Sequence, residues 1–242
     1  ELFHQGKLND QQASFFQPKA PEALYDLAND PWETNNLADE AQYQSSLMQL
    51  RVLLKDHLQA IPDLGFIAES VMVQTKIKEN FYDYGQNHSD RIQQMIAIAD
   101  LQLKPFNEVK AQLKYALTLN DDDMVYRAII ALTSFGAEAK SFEPIMKHLL
   151  NSSKNIPVRS RALEFLTLVN NYDPRKDFIK IYLQSKHDIE RVEMLNIATL
   201  LKEQKGFSFI QPESALIPLS KDVQQSNKVI VWLKNRWNYI SQ

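Results

Sequence analysis

The sequence predicts a mostly α-helical protein, in which stacked helical hairpins form an α-α superhelix behind a small α+β piece. Three observations carry this. Glycine numbers only 5 of 242 residues, against 10 prolines. Glycine supplies the positive-φ corners of tight β-turns and nucleotide loops, so its shortage argues against a β-sandwich, a dinucleotide-binding fold or a phosphate loop. Apolar residues recur three and four apart through most of the chain, which is the helical period. The hairpins themselves also recur: Arg127-Ala128 and Arg161-Ala162 stand 34 residues apart, and Arg159 and Arg191 stand 32 apart. Cysteine is absent, which excludes disulfides, thiolate metal sites and a cysteine nucleophile. No apolar run reaches the ~18–20 residues of a membrane span.

The chain opens on Glu1-Leu2-Phe3-His4, inside a helical pattern and with neither initiator Met nor signal peptide, and reads as a fragment of a longer protein. Residues 1–16 suit a short helix and turn, stopped by Pro18 and Pro21. Glu22 to Leu27 is expected to be extended, with Leu24, Tyr25 and Leu27 in a short strand, and Asn29-Asp30-Pro31 marks a turn. Asp39, with Gln42 three residues on, predicts a helix cap. Tyr43, Leu47, Leu50, Leu54 and Leu58 then make one apolar stripe, ended by Pro62. Residues 62–88 read as an irregular linking segment, and a helix from Ser89 to about Leu103 follows.

From Asn107 the texture is helical hairpins. Val109, Leu113, Ala116 and Leu117 mark one helix, and Met124, Ala128, Leu132 and Phe135 the next, closed by Gly136. Ile145 to Leu150 and Val158 to Val169 follow. Asp173 and Asp188 are expected to cap two more helices, with Pro174 at the first helical position of the former. Lys221 to Gln242, with Val229, Leu233, Trp237 and Ile240 inward, suits a terminal cap. The run Val158-Arg159-Ser160-Arg161-Ala162-Leu163-Glu164-Phe165-Leu166 resembles the second helix of a HEAT repeat, Val-Arg-x-x-Ala-x-x-x-Leu, and Asp121-Asp122-Asp123 suits that repeat's acidic inter-helix turn. One hairpin cannot bury its own apolar face, so neighbours stack.

The run Pro21-Glu22-Ala23-Leu24-Tyr25-Asp26-Leu27-Ala28-Asn29-Asp30-Pro31-Trp32-Glu33-Thr34-Asn35-Asn36-Leu37-Ala38 resembles the C-terminal signature of sulfatases. The stretches Gly6 to Phe16 and Asp63-Leu64-Gly65-Phe66 are similar to the heparan N-sulfatase-like branch of that alkaline phosphatase superfamily. The resemblance divides the chain into a sulfatase C-terminal subdomain remnant at 1–70, a linking segment and helix at 71–106, and a HEAT-like domain at 107–242. It implies that Leu24, Tyr25, Asp26, Leu27, Asp30, Pro31, Trp32, Glu33, Asn35, Asn36 and Leu37 close a small antiparallel sheet packed on the protein's own N-terminal catalytic domain. Their expected role is scaffold, the alternative being that one of them lines a substrate pocket.

Sulfatase chemistry needs a formylglycine made within Cys/Ser-x-Pro-x-Arg, and acidic ligands for calcium or magnesium. Neither Cys nor Ser-x-Pro-x-Arg occurs here, so no catalytic, metal or cofactor residue is carried over, and the divalent cation is implied only for the full-length parent. Asp121-Asp122-Asp123 lacks the glycine turn and distal Glu of a calcium loop, which leaves helix capping. The five histidines, 4, 57, 88, 148 and 187, have no metal-ligand spacing. Asn87-His88-Ser89 and Asn151-Ser152-Ser153 fit a glycosylation sequon, a triplet frequent by chance.

Arg159 and Arg161, with neighbouring lysines, and Trp232 and Trp237, with Lys228, Lys234 and Arg236, are candidate contacts to a sulfated glycan or a second subunit. A solvated helix face and plain helix docking are the alternatives. Residues 1–106 carry a net −7 and residues 107–242 a net +4, well short of a nucleic-acid footprint. The function expected is the non-catalytic C-terminal region of a periplasmic or extracellular sulfatase whose full-length form hydrolyses sulfate esters or N-sulfates. A phosphodiesterase or phosphonate-type hydrolase of the same superfamily is the runner-up enzyme. A helical-repeat module that binds a protein through its concave face is the alternative from another class.

Overall fold

The computed structural model describes residues 2–17, 19–74, 80–219 and 223–242, and the side chains of 223–226 are left out of the account. Pro18, expected to stop the first helix, and Lys221, expected to open the terminal cap, lie outside the described residues. The chain is all-α in class. Its backbone forms two compact units, Glu1–Ile61 and Pro62–Gln242.

The first unit contains α1 (Asp10–Ser14) and α2 (Gln44–Ala60). Asn9 caps α1 through a reciprocal bond with Gln12. The expected cap at Asp39 does not form: a 3-10 turn at Ala41–Tyr43 precedes α2, and Gln44 donates to the Ala38 carbonyl instead. No strand is present among the described residues. Residues 22–26 are extended, but one backbone bond reaches a second segment, Leu37 N–H to Leu24 O at 2.8 Å, while Asp26 O only closes the turn with the Asn29 and Asp30 N–H groups. A ladder needs several such bonds along a partner, so a lone extended segment does not count as a strand. The α2 stripe is only partly used: Leu47 is buried, Tyr43 and Leu58 half-buried, Leu50 and Leu54 exposed.

The second unit begins with α3 (Glu69–Gln74), α4 (Phe81–Asn87) and α5 (Ser89–Ala99), so the part of 62–88 expected to be irregular is largely short helices. Then come α6 (Phe106–Ala116), α7 (Asp122–Thr133), α8 (Glu143–Ser152), α9 (Ile156–Asn170), α10 (Arg175–Gln184), α11 (Asp188–Lys205) and α12 (Val223–Ile240). They pack in two rows. α5, α7, α9, α11 and α12 touch in that order, while α6 packs on α7, α8 on α9, and α10 on α9 and α11. α9 is surrounded by neighbours and buries residues on every side, polar Arg159, Ser160, Glu164 and Thr167 as well as the wholly buried Ala162, Phe165 and Leu166.

The caps follow local chemistry where a side chain is free to turn back. Asp121 accepts the N–H groups of Asp123 and Met124 and starts α7. Asp173 takes the Arg175 N–H, although Pro174 holds the cap position. Asp188 does not cap α11. His187 holds the cap position, and the buried Asp188 carboxylate receives the Leu219 N–H at 2.9 Å. α11 ends at Gly206, whose φ of +73° is the left-handed stop that glycine adopts without strain.

Candidate functional site

In the first unit, the loop 21–38 folds on its own polar side chains. Asp30 receives the N–H groups of Thr34 and Asn35, each at 2.8 Å, and the Thr34 hydroxyl at 3.0 Å. The chain reverses there, with Glu33 N–H on Asp30 O at 3.1 Å and Glu33 left-handed at φ +52°. Pro31 presets the first corner of that turn. Asn36 accepts from Leu24 N–H at 2.9 Å and Ala38 N–H at 3.0 Å, and donates to Glu22 O at 3.2 Å. Asp26 accepts from the Asn29 amide at 2.7 Å and the Ala28 N–H. These bonds hold both carboxyls below the ordinary range, the Asn29 amide leading for Asp26 and the Asn35 N–H for Asp30. Leu24, Tyr25 and Leu37 are half-buried. Leu27 faces outward, and Trp32 is 85% exposed.

In the second unit, charged side chains of the α5–α7–α9–α11 row are directed at the chain itself. Arg91 of α5 grips Asp121 at 2.8 Å and Asp123 at 2.5 Å. Arg127 of α7 donates to the carbonyls of Gly65 (2.6 Å) and Phe66 and lies over the Phe66 ring. Glu193 of α11 accepts the Ser70 N–H at 2.8 Å, and Glu190 accepts the Gln74 amide at 2.8 Å. Burial pushes the Glu193 carboxyl up despite that bond. The segment 65–74 is thereby strapped to α7 and α11 by their own side chains. Sequence reasoning missed this use of Arg127, although its 34-residue spacing from Arg161 was the available signal.

The two candidate arginines are internally committed as well. Arg159 is buried and donates to Leu150 O at 2.9 Å and Gln184 Oε1 at 2.7 Å. Arg161 pairs with Glu164 at 2.5 Å, donates to the Tyr126 hydroxyl at 3.0 Å and covers the Tyr126 ring. Arg159 also lines a cleft with Lys154 and Lys186, and Arg161 is half-buried.

The two tryptophans separate. Trp237 is 0% exposed. It sits among Phe178, Tyr182 and the rest of an aromatic cluster, and its indole N–H donates to the Tyr182 hydroxyl at 3.1 Å. Burial removes it from any surface contact. Trp232 is 45% exposed. With Lys228, Lys186, His187 and Glu69 it lines a cleft of about 500 Å³ where α3, the α10–α11 turn and α12 meet. A second cleft of about 760 Å³, also lined by Lys186, continues past Gln184 to Asn151, Ser152 and Asn155. Asn151, one of the two sequon asparagines, donates to Lys147 O at 2.8 Å.

His88 stacks on Tyr84. Among the described residues, no group of three or more His, Cys, Asp or Glu side chains is placed to hold a metal ion, and no helix is long and apolar enough to cross a membrane.

Compared with known proteins, the chain is 40% identical over 70 residues to an "Ulvan-active sulfatase" of Formosa agariphila, a match that takes in 28% of this chain and 12% of that protein. The chain thus spans a small part of the relative's length. No family model matches the chain, and no solved structure does.

Proposed function

We propose that this chain is the non-catalytic C-terminal region of a sulfatase whose full-length form hydrolyses sulfate esters or N-sulfates of a sulfated carbohydrate. The observation that carries the reading is the 40% identity over 70 residues to a protein named as a sulfatase. Loop 21–38 supports it physically. Asp30 and Asn36 spend their side chains on backbone groups, which suits a scaffold corner. The exposed apolar residues of the first unit, Met48, Leu50, Leu53 and Leu54 on α2 together with Phe15 and Trp32, suit a face covered by the parent's catalytic domain.

In this reading the nucleophile and the calcium or magnesium ligands belong to that preceding domain, in a periplasmic or extracellular enzyme. The second unit is an appended HEAT-like array. The inner-row side chains of Arg127, Glu190 and Glu193 already hold this chain's own residues 65–74, so a partner or second subunit would use the array's other surfaces. The test is the coding sequence upstream of Glu1, followed by assay of the longer product for inorganic sulfate released from sulfated polysaccharides. Cys/Ser-x-Pro-x-Arg and sulfate release are expected. Absence of the motif overturns the reading.

A further inference from the structure

We infer that the cleft around Trp232 is a binding subsite for a sulfated saccharide chain, separate from any catalytic centre; the choice of ligand rests on the sulfatase reading above. Trp232 and Lys228 are four residues apart on α12 and so share one face of that helix. The buried stripe of α12 is Val229, Leu233, Trp237 and Ile240, so Trp232 is not needed to dock the helix. A half-exposed indole beside a cleft offers a flat apolar face with a polar edge, and the C–H face of a pyranose ring matches that surface.

Charge complements the anionic substituents. Among the described residues, neither Lys186 nor Lys228 has an ion-pair partner, whereas the cleft's Asp188 pairs with the Arg191 guanidinium at 3.9 Å and accepts the Leu219 N–H. Lysine ammoniums act as point charges toward sulfate oxygens. Glu69 is the opposing charge at the α3 edge, so the sulfate belongs on the Lys186–Lys228 side. The adjoining cleft extends the site with groups that donate to and accept from hydroxyls, Gln184, Asn151 and Asn155 among them, and carries both signs of charge, Lys154 and Arg159 against Asp122 and Glu190. A ring-stacking platform, two ammoniums without an ion-pair partner among the described residues, and neighbouring amides suit a polyhydroxylated polyanion. An apolar peptide anchor would need a drier pocket.

The test uses the full 242-residue chain and isothermal titration with ulvan oligosaccharides, the same oligosaccharides chemically desulfated, and poly-glutamate as a ring-free polyanion. Sulfated oligosaccharides are expected to bind, and desulfation is expected to weaken binding. Trp232→Ala should weaken it about tenfold, equivalent to about 1.4 kcal/mol. Trp232→Tyr should restore part of that loss. Lys228→Ala should weaken binding and Glu69→Gln should strengthen it. All these positions are exposed surface, and an unchanged melting curve verifies folding of each variant. Equal binding of poly-glutamate, or Trp232→Ala binding like the parent, overturns the inference in favour of bare charge attraction. No binding of the sulfated oligosaccharides, in a longer product that does release sulfate, overturns this inference alone. Saccharide binding at the cleft in a longer product that releases none leaves the subsite standing and overturns the proposed function.

Discussion

Replacing Trp237 by alanine removes the largest fully buried side chain of the protein, at the point where α12 closes the helix row. Its indole meets Tyr182 edge-on at 5.2 Å between ring centres and Phe178 at 6.0 Å, and Phe178 in turn meets Phe209 at 4.6 Å. A Trp→Ala change at such a site costs about 3–5 kcal/mol in lost transfer energy and residual cavity. For a unit of this size, each kcal/mol moves Tm by about 2–4 °C, so the second unit should melt about 6–20 °C lower. Trp237→Phe keeps most of the volume. Tyr182 retains its own bond to Ala215 O at 2.7 Å, so no buried donor is stranded, and the cost falls to about 1–2 kcal/mol. Trp232→Ala, on the outer face of the same helix, should stay within about 0.5 kcal/mol of the parent. Circular dichroism melts of the three variants, with urea titrations at 25 °C, make the comparison. A Trp237→Ala melt within about 2 °C of the parent, or no lower than that of Trp232→Ala, refutes the assignment of Trp237 to the core.

Other consequences follow from the same contacts. Arg91→Ala should cost about 1–3 kcal/mol in urea titrations, because it leaves the buried Asp123 carboxylate without its cation, and Arg91→Lys should recover part of it. Burial raises the Asp121 carboxyl, but the bonds from Arg91 and the Met124 N–H outweigh that and leave it below its usual 3.8. The stability it supplies is therefore complete above 3.8 and lost as pH falls through the depressed folded value. Asp121→Asn should flatten that acid-side decline in Tm. Tyr172 donates to Asp177 Oδ2 at 2.5 Å, and this bond together with burial pushes its phenol up to about 12. Ultraviolet titration should show late phenols from Tyr172 and from the buried Tyr182, of which Asp177→Asn brings only Tyr172 back toward the ordinary range. Asn36→Ala removes three tethers of loop 21–38, a loss of about 1–2 kcal/mol that limited proteolysis should register as roughly 5–30-fold faster cutting there.

Much of the helical layout was legible because helix period and capping are local. The stripes of α6, α7 and α9 match their buried residues, and Asp121 turns back onto α7 as its position suggested. The failures have local signals that tertiary placement overrode. Asp39 and Asp188 look like caps in sequence, but a cap forms only if the carboxylate is free to turn back. At Asp39 the chain passes through a 3-10 turn at Ala41–Tyr43 before α2 starts, so the helix begins too late for it, and Asp188 is drawn to Leu219, 31 residues on. The strand expected at 22–27 depends on partners that no local pattern supplies.

The tryptophans mark the same boundary. Five residues apart on a helix, Trp232 and Trp237 lie about 140° apart around its axis, so docking one face leaves the other outside. The sequence, through Val229, Leu233 and Ile240, already put Trp237 on the apolar stripe. It also determined the helical class and the absence of a formylglycine precursor, since these are statements about composition, period and motif. Only the tertiary structure decided that Arg127, Glu190 and Glu193 hold residues 65–74 rather than a partner. It also decided that Arg159 and Arg161 are spent internally, and that Lys186 meets Lys228 and Trp232 at one cleft. Contacts such as Arg127 to Gly65 and Glu193 to Ser70 join groups tens of residues apart, and such pairing is set by packing distance, which sequence separation does not encode.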